Sequence, residues 1–457
     1  MADKAVSLRG EQTVLFTNRQ LVALMWPLLL EQFLAITVGL ADSLMVATVG
    51  DAAISAVSLV DSISNLMIYI FSAMATGGAA VAGQYIGQQQ KEDACHAGQQ
   101  LIALLAAVSV FFVALLYLFR AQVLTVMFGH IEPDVMAATN TYYLYVMASI
   151  PGIALYNGGA ALWRTMGRSD ISLKVSLLMN GINVAGNAIL IFGFGMDVAG
   201  VAIPTLVSRT VAAAVILGML FNDKLTLHLS NVRAFRLDMR LMKNIFYIGV
   251  PSGVENGMFH LGRLVLFSLI STFGTAAMVA NAIGNTIANF NCFSGSAINL
   301  GLAAVVSQCV GAGEFDQARA YMKKIVKWTY GIMAVVNLGI MALLPFIMRV
   351  YNVSPEAEKL AVTVSLIHGI SSIFLWIPAF TIPSFLRAAG DAQFTMLASM
   401  TTMWLVRVLL AYVLGRYLGY GVVGVWFAHA ILDWLVRGSV FILRYRSGKW
   451  ESMGIKT

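Results

Sequence analysis

Displaced by 224 positions, the chain matches itself: Pro27 falls on Pro251, Glu31 on Glu255, Gly50 on Gly274, Gln84 on Gln308 and Gly87 on Gly311. About 19 of the 68 ungapped positions from residue 27 to residue 94 are identical. The register returns near the ends of the halves, where Gly200 and Val201 meet Gly424 and Val425. Shared hydrophobicity does not produce such registration, because the matches include Pro, Glu, Gln and Gly. Two copies of one unit are fused, so the fold must build the same substructure twice. Many secondary transporters are built in this way, with a binding site at the repeat interface.

The medium follows from composition. The chain is 59% hydrophobic and 11% charged, with a mean hydropathy of +0.79, far from the soluble norm. Apolar stretches long enough to cross a hydrocarbon core recur along its length. Six are expected in the first half, at 21–49, 57–82, 97–118, 137–162, 171–194 and 200–221. Six more are expected at 245–273, 276–306, 321–348, 361–386, 394–418 and 422–443.

A net charge of +7 invites a nucleic-acid reading, but the distribution of the basic residues answers differently. With the amino terminus inside, one set of connections holds Lys4, Arg9, Arg19, Lys91, Arg164, Arg168, Lys174, the Lys224–Lys243 group, Arg319, Lys323, Lys324, Lys327, Arg387 and the basic tail from Arg444. The opposite set holds only Arg120, Arg349, Lys359 and Arg416. Positive charge marks the cytoplasmic side, so both termini are expected there. Because six is even, the halves enter the membrane in the same direction and are related by an axis along its normal. No nucleic-acid partner is expected.

The expected organisation is a cytoplasmic N-terminal segment 1–20, an N-lobe 21–221, a cytoplasmic linker 222–244, a C-lobe 245–443 and a cytoplasmic tail 444–457. The linker is basic and amphipathic in its later part, suited to lie along anionic headgroups. The first apolar run is too long for a cleavable signal and is expected to remain as an anchor. Three cysteines, Cys95, Cys292 and Cys309, form no metal-ligand spacing. No Walker sequence is present, so ATP is not expected as the energy source.

The opening WPLLLEQFLAITVGLADSLMVATVGDAAISAVSL, with Pro27, Asp42, Gly50 and Ala56, resembles the signature of the multidrug and toxic compound extrusion (MATE) family. So do GGAAVAGQYIGQ after the second span, the paired RTMGRSD (Arg164–Asp170) and RAAGDAQ (Arg387–Gln393), and NVAGNAILIFG in the fifth span. The resemblance covers essentially the whole chain. It implies an all-α integral membrane protein of twelve transmembrane helices, in two six-helix lobes around a V-shaped central cleft. It further implies export of organic cations in exchange for Na⁺ or H⁺, without another cofactor.

Acidic residues inside spans are the informative ones, because a carboxylate at the bilayer centre costs about 2.5–3.5 kcal/mol on insertion scales. Asp42 reads as a cation- or proton-binding group, or as a hydrogen-bonded residue near a helix end. Glu31 and Glu255 each follow a proline by four residues, one turn beyond a site where a helix loses a backbone donor. The resemblance makes Glu255 a second coupling carboxylate, although the family's sodium-coupled members carry theirs about one turn further from the proline. The alternative for Glu255 is a structural pairing with Arg263 or Asn256; for Glu31 both roles stay open.

Asn180, Asn183 and Asn187 lie on one helical face, able to serve Na⁺, Asp42 or helix association. The family often has Asp where Asn187 stands, which removes one charge here. Asp61 falls on Asn285 and Asp42 on Leu266, so the halves diverge where charge matters. Arg407 and Arg209 are expected to neutralise carboxylates, and Asp433 with Arg437 to form an i,i+4 pair. His260 is a coupling candidate or a packing residue.

Together these readings predict an antiporter, not an enzyme, in the inner or plasma membrane. It is expected to act as a monomer on a small cationic or amphipathic substrate among membrane lipids. A lipid-linked oligosaccharide or lipid flippase of the same superfamily is the alternative, disfavoured by the few basic residues at mid-span.

Overall fold

The computed structural model describes residues 14–129, 132–229 and 237–455. Among them there is no strand. The first half contains α1 (Asn18–Ala47), α2 (Asp51–Gly87), α3 (Lys91–Leu118), α4 (Arg120–Phe128), α5 (Pro133–Ala148), α6 (Ile150–Thr165), α7 (Ser169–Ala188) and α8 (Ala199–Gly218). The second contains α9 (Met239–Ser271), α10 (Thr275–Gly311), α11 (Phe315–Tyr351), α12 (Pro355–Phe374), α13 (Ile382–Ala388), α14 (Ala392–Thr402), α15 (Leu409–Tyr412), α16 (Gly421–Phe427) and α17 (Trp434–Arg446). Of the expected segments, residues 1–13 of the N-terminal segment and 230–236 of the linker 222–244 lie outside the described residues, and the end of that linker already belongs to α9.

Among the described residues, ten helical stretches are long and apolar enough to cross a membrane. The remaining two of twelve are the α5–α6 pair and α9. Pro151 stands in the first turn of α6, where its missing N–H is harmless, and the helix breaks at Ser149 into two pieces too short to span singly. α9 is long but carries Arg240, Lys243, Glu255 and Arg263, which lower its hydropathy. Helices also run past their apolar cores: the second span, expected at 57–82, lies within Asp51–Gly87. A polar end continues a helix as long as its backbone groups can bond to one another.

Short π-helical turns interrupt several spans at Ile189–Gly193, Ile377–Thr381, Met403–Val408, Val413–Tyr417 and Ala428–Asp433. Such one-residue insertions re-aim side chains and gather at functional sites.

The chain divides into two compact units, Trp26–Gly253 and Val254–Thr457, the second also taking Met1–Met25. Each change of unit therefore falls within three residues of Pro27 or Pro251. In the first unit, α2 packs on α3, α5 and α6, and α7 on α8. A Cβ on Gly77 would meet Gly249 Cα at 3.1 Å and the Ile248 carbonyl at 3.2 Å, so this crossing of α2 with the start of α9 requires glycine. Close backbone approach of this kind holds membrane helices together where lipid offers no hydrophobic drive.

In the second unit, α10 packs on α11, α12 and α13, and a buried cluster joins Leu266, Ile270, Val364, Met403 and Trp426. The stretch before Trp26 is fixed there: the Phe16 N–H donates to Tyr321 Oη at 2.9 Å, and that hydroxyl lies 3.0 Å from the Phe16 carbonyl. The matched glycines Gly50 and Gly274 precede α2 and α10 with φ of 137° and 95°, which a side chain would strain.

Candidate functional site

In the first unit α7 presents Asn183 and Asn187, one turn apart, toward Asp42 on α1. Asn187 Nδ2 donates to Asp42 Oδ1 at 3.0 Å. With its amide nitrogen facing the carboxylate, Asn183 donates to Asp42 Oδ2 and Oδ1 at 2.9 and 3.1 Å, while its oxygen lies 3.2 Å from Thr205 Oγ1 on α8. Asn183 and Thr205 are buried, and Asn187 is completely so. No arginine or lysine forms an ion pair with Asp42 among the described residues. Asn187 Oδ1 is buried without a hydrogen-bond partner. The result is a carboxylate ringed by neutral oxygens and nitrogens, with an unsatisfied acceptor at its edge. The π turn at Ile189–Gly193 begins two residues after Asn187.

Asp61 on α2 accepts from the Tyr142 hydroxyl at 3.2 Å. Arg209 on α8 donates to Ser149 Oγ at 2.8 Å and lies close enough to act electrostatically on both Asp61 and Asp42. Asn180, on the same helix as the other two amides, takes no hydrogen bond within this cluster.

The paired glutamates form a different arrangement, built twice. Glu31 accepts from Ser172 Oγ at 2.7 Å and from Tyr156 Oη at 3.3 Å, and Arg164 Nη1 donates to the same serine at 3.3 Å. In the second unit, Arg387 Nη1 meets both oxygens of Glu255 at 3.1 Å, and Ser399 Oγ donates to it at 2.7 Å. The charged partner of Glu255 is thus Arg387 rather than Arg263. The two arginines are those that open the paired RTMGRSD and RAAGDAQ segments.

Arg407 and Arg437 share one fully buried carboxylate. Arg407 Nη2 is 2.9 Å and Arg437 Nη2 2.8 Å from Asp433 Oδ2. Arg263, the alternative ion-pair partner considered for Glu255, instead donates to Asn285 Oδ1 at 3.1 Å. His260 is half-buried on α9, outside the Asp42 cluster.

Spacing on one helix revealed the Asn183–Asn187 face. Thr205, Tyr142, Ser172 and Ser399 were missed, since their contacts join segments far apart in sequence. The one available signal was the arginine at the head of each paired motif.

The family model MatE matches residues 27–189 and 251–413, the same module twice at the repeat spacing. The chain belongs to the MatE family. Among relatives of this MatE protein, an uncharacterized transporter YisQ of Bacillus subtilis is 29% identical over 442 residues, covering 95% of each chain. A probable multidrug resistance protein NorM of Thermotoga maritima is 23% identical over 454 residues, covering 96% of this chain and 94% of that one. A structure described as the outward-facing conformation of a multidrug resistance MATE family transporter superposes with a TM-score of 0.85 at 18% identity, covering 96% and 97% of the two chains. Another, described as MATE in the straight conformation, gives 0.86 at 18% identity over 95% and 97%. MatE proteins are secondary transporters of small molecules, not enzymes, so this chain is a multi-pass membrane transporter with the MatE fold.

Proposed function

We propose that this MatE transporter exports organic cations or amphipathic toxic compounds against an inward flow of Na⁺ or H⁺, with Asp42 as the coupling group and both termini in the cytoplasm. One observation carries the reading: the intramembrane carboxylate of Asp42 is met by two amide groups and, among the described residues, forms no ion pair with a cationic side chain. Rotating the Asn183 amide turns its oxygen toward an incoming cation, and the Asn187 oxygen is already without a partner. Asp42, both amides and Thr205 Oγ1 together supply hard oxygen donors of the type that Na⁺ takes. A proton, binding at Asp42 alone, neutralises the same charge.

Either cation entering from outside is driven by the membrane potential, at about 2.3 kcal/mol per charge per 100 mV. Its arrival removes the attraction that Asp42 exerts on an organic cation, so ion entry and substrate release are linked. Glu255 belongs to the scaffold in this reading, because Arg387 already occupies both its oxygens. The relatives described as multidrug resistance proteins support the export of drugs.

The test is ethidium efflux from liposomes containing the purified protein, under an imposed Na⁺ or H⁺ gradient, for the wild type and Asp42→Asn. Efflux driven by one gradient and lost in the variant is expected. Gradient-driven efflux that survives in Asp42→Asn overturns the assignment, and flipping of a lipid-linked phosphate without ethidium efflux replaces the function.

A further inference from the structure

The 224-residue shift carries the Asp42 site onto a set of positions of opposite net charge. Asn183 falls on Arg407, Arg209 on Asp433, and Thr205 on His429; Asp61 becomes Asn285, and Gly39 becomes Arg263. Asp42 itself becomes Leu266. In the first unit, once Glu31 is set aside with Ser172 and Tyr156, two intramembrane carboxylates face the single Arg209. In the second, once Glu255 is paired with Arg387, one carboxylate, Asp433, stands among Arg263, Arg407 and Arg437.

This second set is built and not incidental. Two π turns, Met403–Val408 and Ala428–Asp433, carry Arg407 and Asp433 inward. The half-exposed ring of Phe259 covers both guanidiniums, with Arg407 Cζ 5.3 Å and Arg437 Cζ 4.3 Å from its centroid. Arg263 is exposed on the same helix as Phe259, with no carboxylate in ion-pairing distance among the described residues. An arginine within a membrane span and open to its surroundings is tolerated where water reaches it. Trp434, packed against His368 and His429, holds its indole N–H buried without a hydrogen-bond partner. That group is a donor only, as are the arginines, and donors in excess of acceptors suit an anion. One carboxylate cannot neutralise three guanidiniums, so the set keeps a net positive charge, and a buried charge without a counter-charge is costly.

We propose that the second unit holds an oxyanion site, which takes a carboxylate or phosphate group attached to an aromatic body. Arg263 receives the anionic group, Phe259 packs on the ring, and Arg407 and Arg437 add their field from beneath. The inference deepens the export reading and rests on it: the exported compounds include acids and zwitterions as well as simple cations.

The experiment is calorimetric titration of the purified full-length protein in lipid nanodiscs with naphthoate, naphthyl phosphate and the neutral naphthamide. One or both anions are expected to bind about tenfold or more tightly than the amide, and the tighter of the two names the group. Arg263→Gln is expected to abolish this preference without weakening naphthamide. Arg407→Lys, which keeps the charge opposite Asp433 but loses the planar fork, is expected to reduce it. Equal affinity for all three probes, or an anion preference unchanged in Arg263→Gln, overturns the proposal. Because Arg263 is exposed, its variant decides the matter even if Arg407→Lys does not fold. Binding is read without any ion gradient, so a missing anion preference leaves ethidium export standing, and a failure of export leaves the binding result intact.

Discussion

Arg387 meets both carboxylate oxygens of Glu255 at 3.1 Å, across 132 residues of chain. Glu255 is nearly buried, and Ser399 supplies a third hydrogen bond, so its charge is answered from two neighbouring spans. Arg387→Gln should therefore destabilise the protein by about 3 kcal/mol, because it leaves a carboxylate without its counter-charge. The double variant Glu255→Gln with Arg387→Gln should recover most of that loss. Denaturant unfolding in detergent, followed by tryptophan fluorescence, measures both.

Glu255→Gln alone should retain the ion dependence of efflux, whereas Asp42→Asn should reduce gradient-driven efflux at least about tenfold while changing stability by no more than about 1 kcal/mol. Asparagine keeps the shape and part of the hydrogen bonding of Asp42 and removes only the charge. If Glu255→Gln abolishes coupling, the placement of coupling on Asp42 alone is wrong.

Asn187→Ala should raise the concentration of driving cation needed for half-maximal efflux about tenfold, since it removes a donor to Asp42 and the unpartnered oxygen beside it. Asn180→Ala, on the same helix but without a bond to Asp42, should leave that concentration within about twofold. Titrating Na⁺ or H⁺ against the efflux rate separates the two.

Gly77→Ala should cost about 1–3 kcal/mol, because the new methyl group meets the backbone of Gly249 and Ile248, which cannot turn aside as a side chain would. Gly39→Ala has nothing within 4 Å of its new Cβ and should be neutral or stabilising by up to about 1 kcal/mol. Thermal unfolding of the two variants compares a constrained glycine with an unconstrained one in the same unit.

The repeat and the apolar runs made the helical architecture legible, because both are periodic features of the chain itself. Asn183 and Asn187 were found for the same reason, as a spacing of four places them on one face. The partner of Glu255 was not, since ion pairing across helices depends on which spans become neighbours. Hydrophobic length also gave no sign of the π turns, where one inserted residue leaves the apolar pattern almost unchanged. The broken matches Asp42–Leu266 and Asp61–Asn285 were visible as loss of charge. Their place in a change of net charge emerged once Arg407, Asp433 and Arg263 were seen in one unit.

The opening of α1, up to Met25, is packed in the unit that otherwise starts at Val254, and the opening of α9 is packed with the first half. During translation, the beginning of α1 leaves the ribosome long before the helices that hold it exist. The first half must therefore enter the bilayer with one helix start unclaimed, and it completes its packing only when the second half has been made. The duplication has in this way lost the independence of its ancestral copies: a chain cut between the halves yields two fragments that each lack a piece carried by the other.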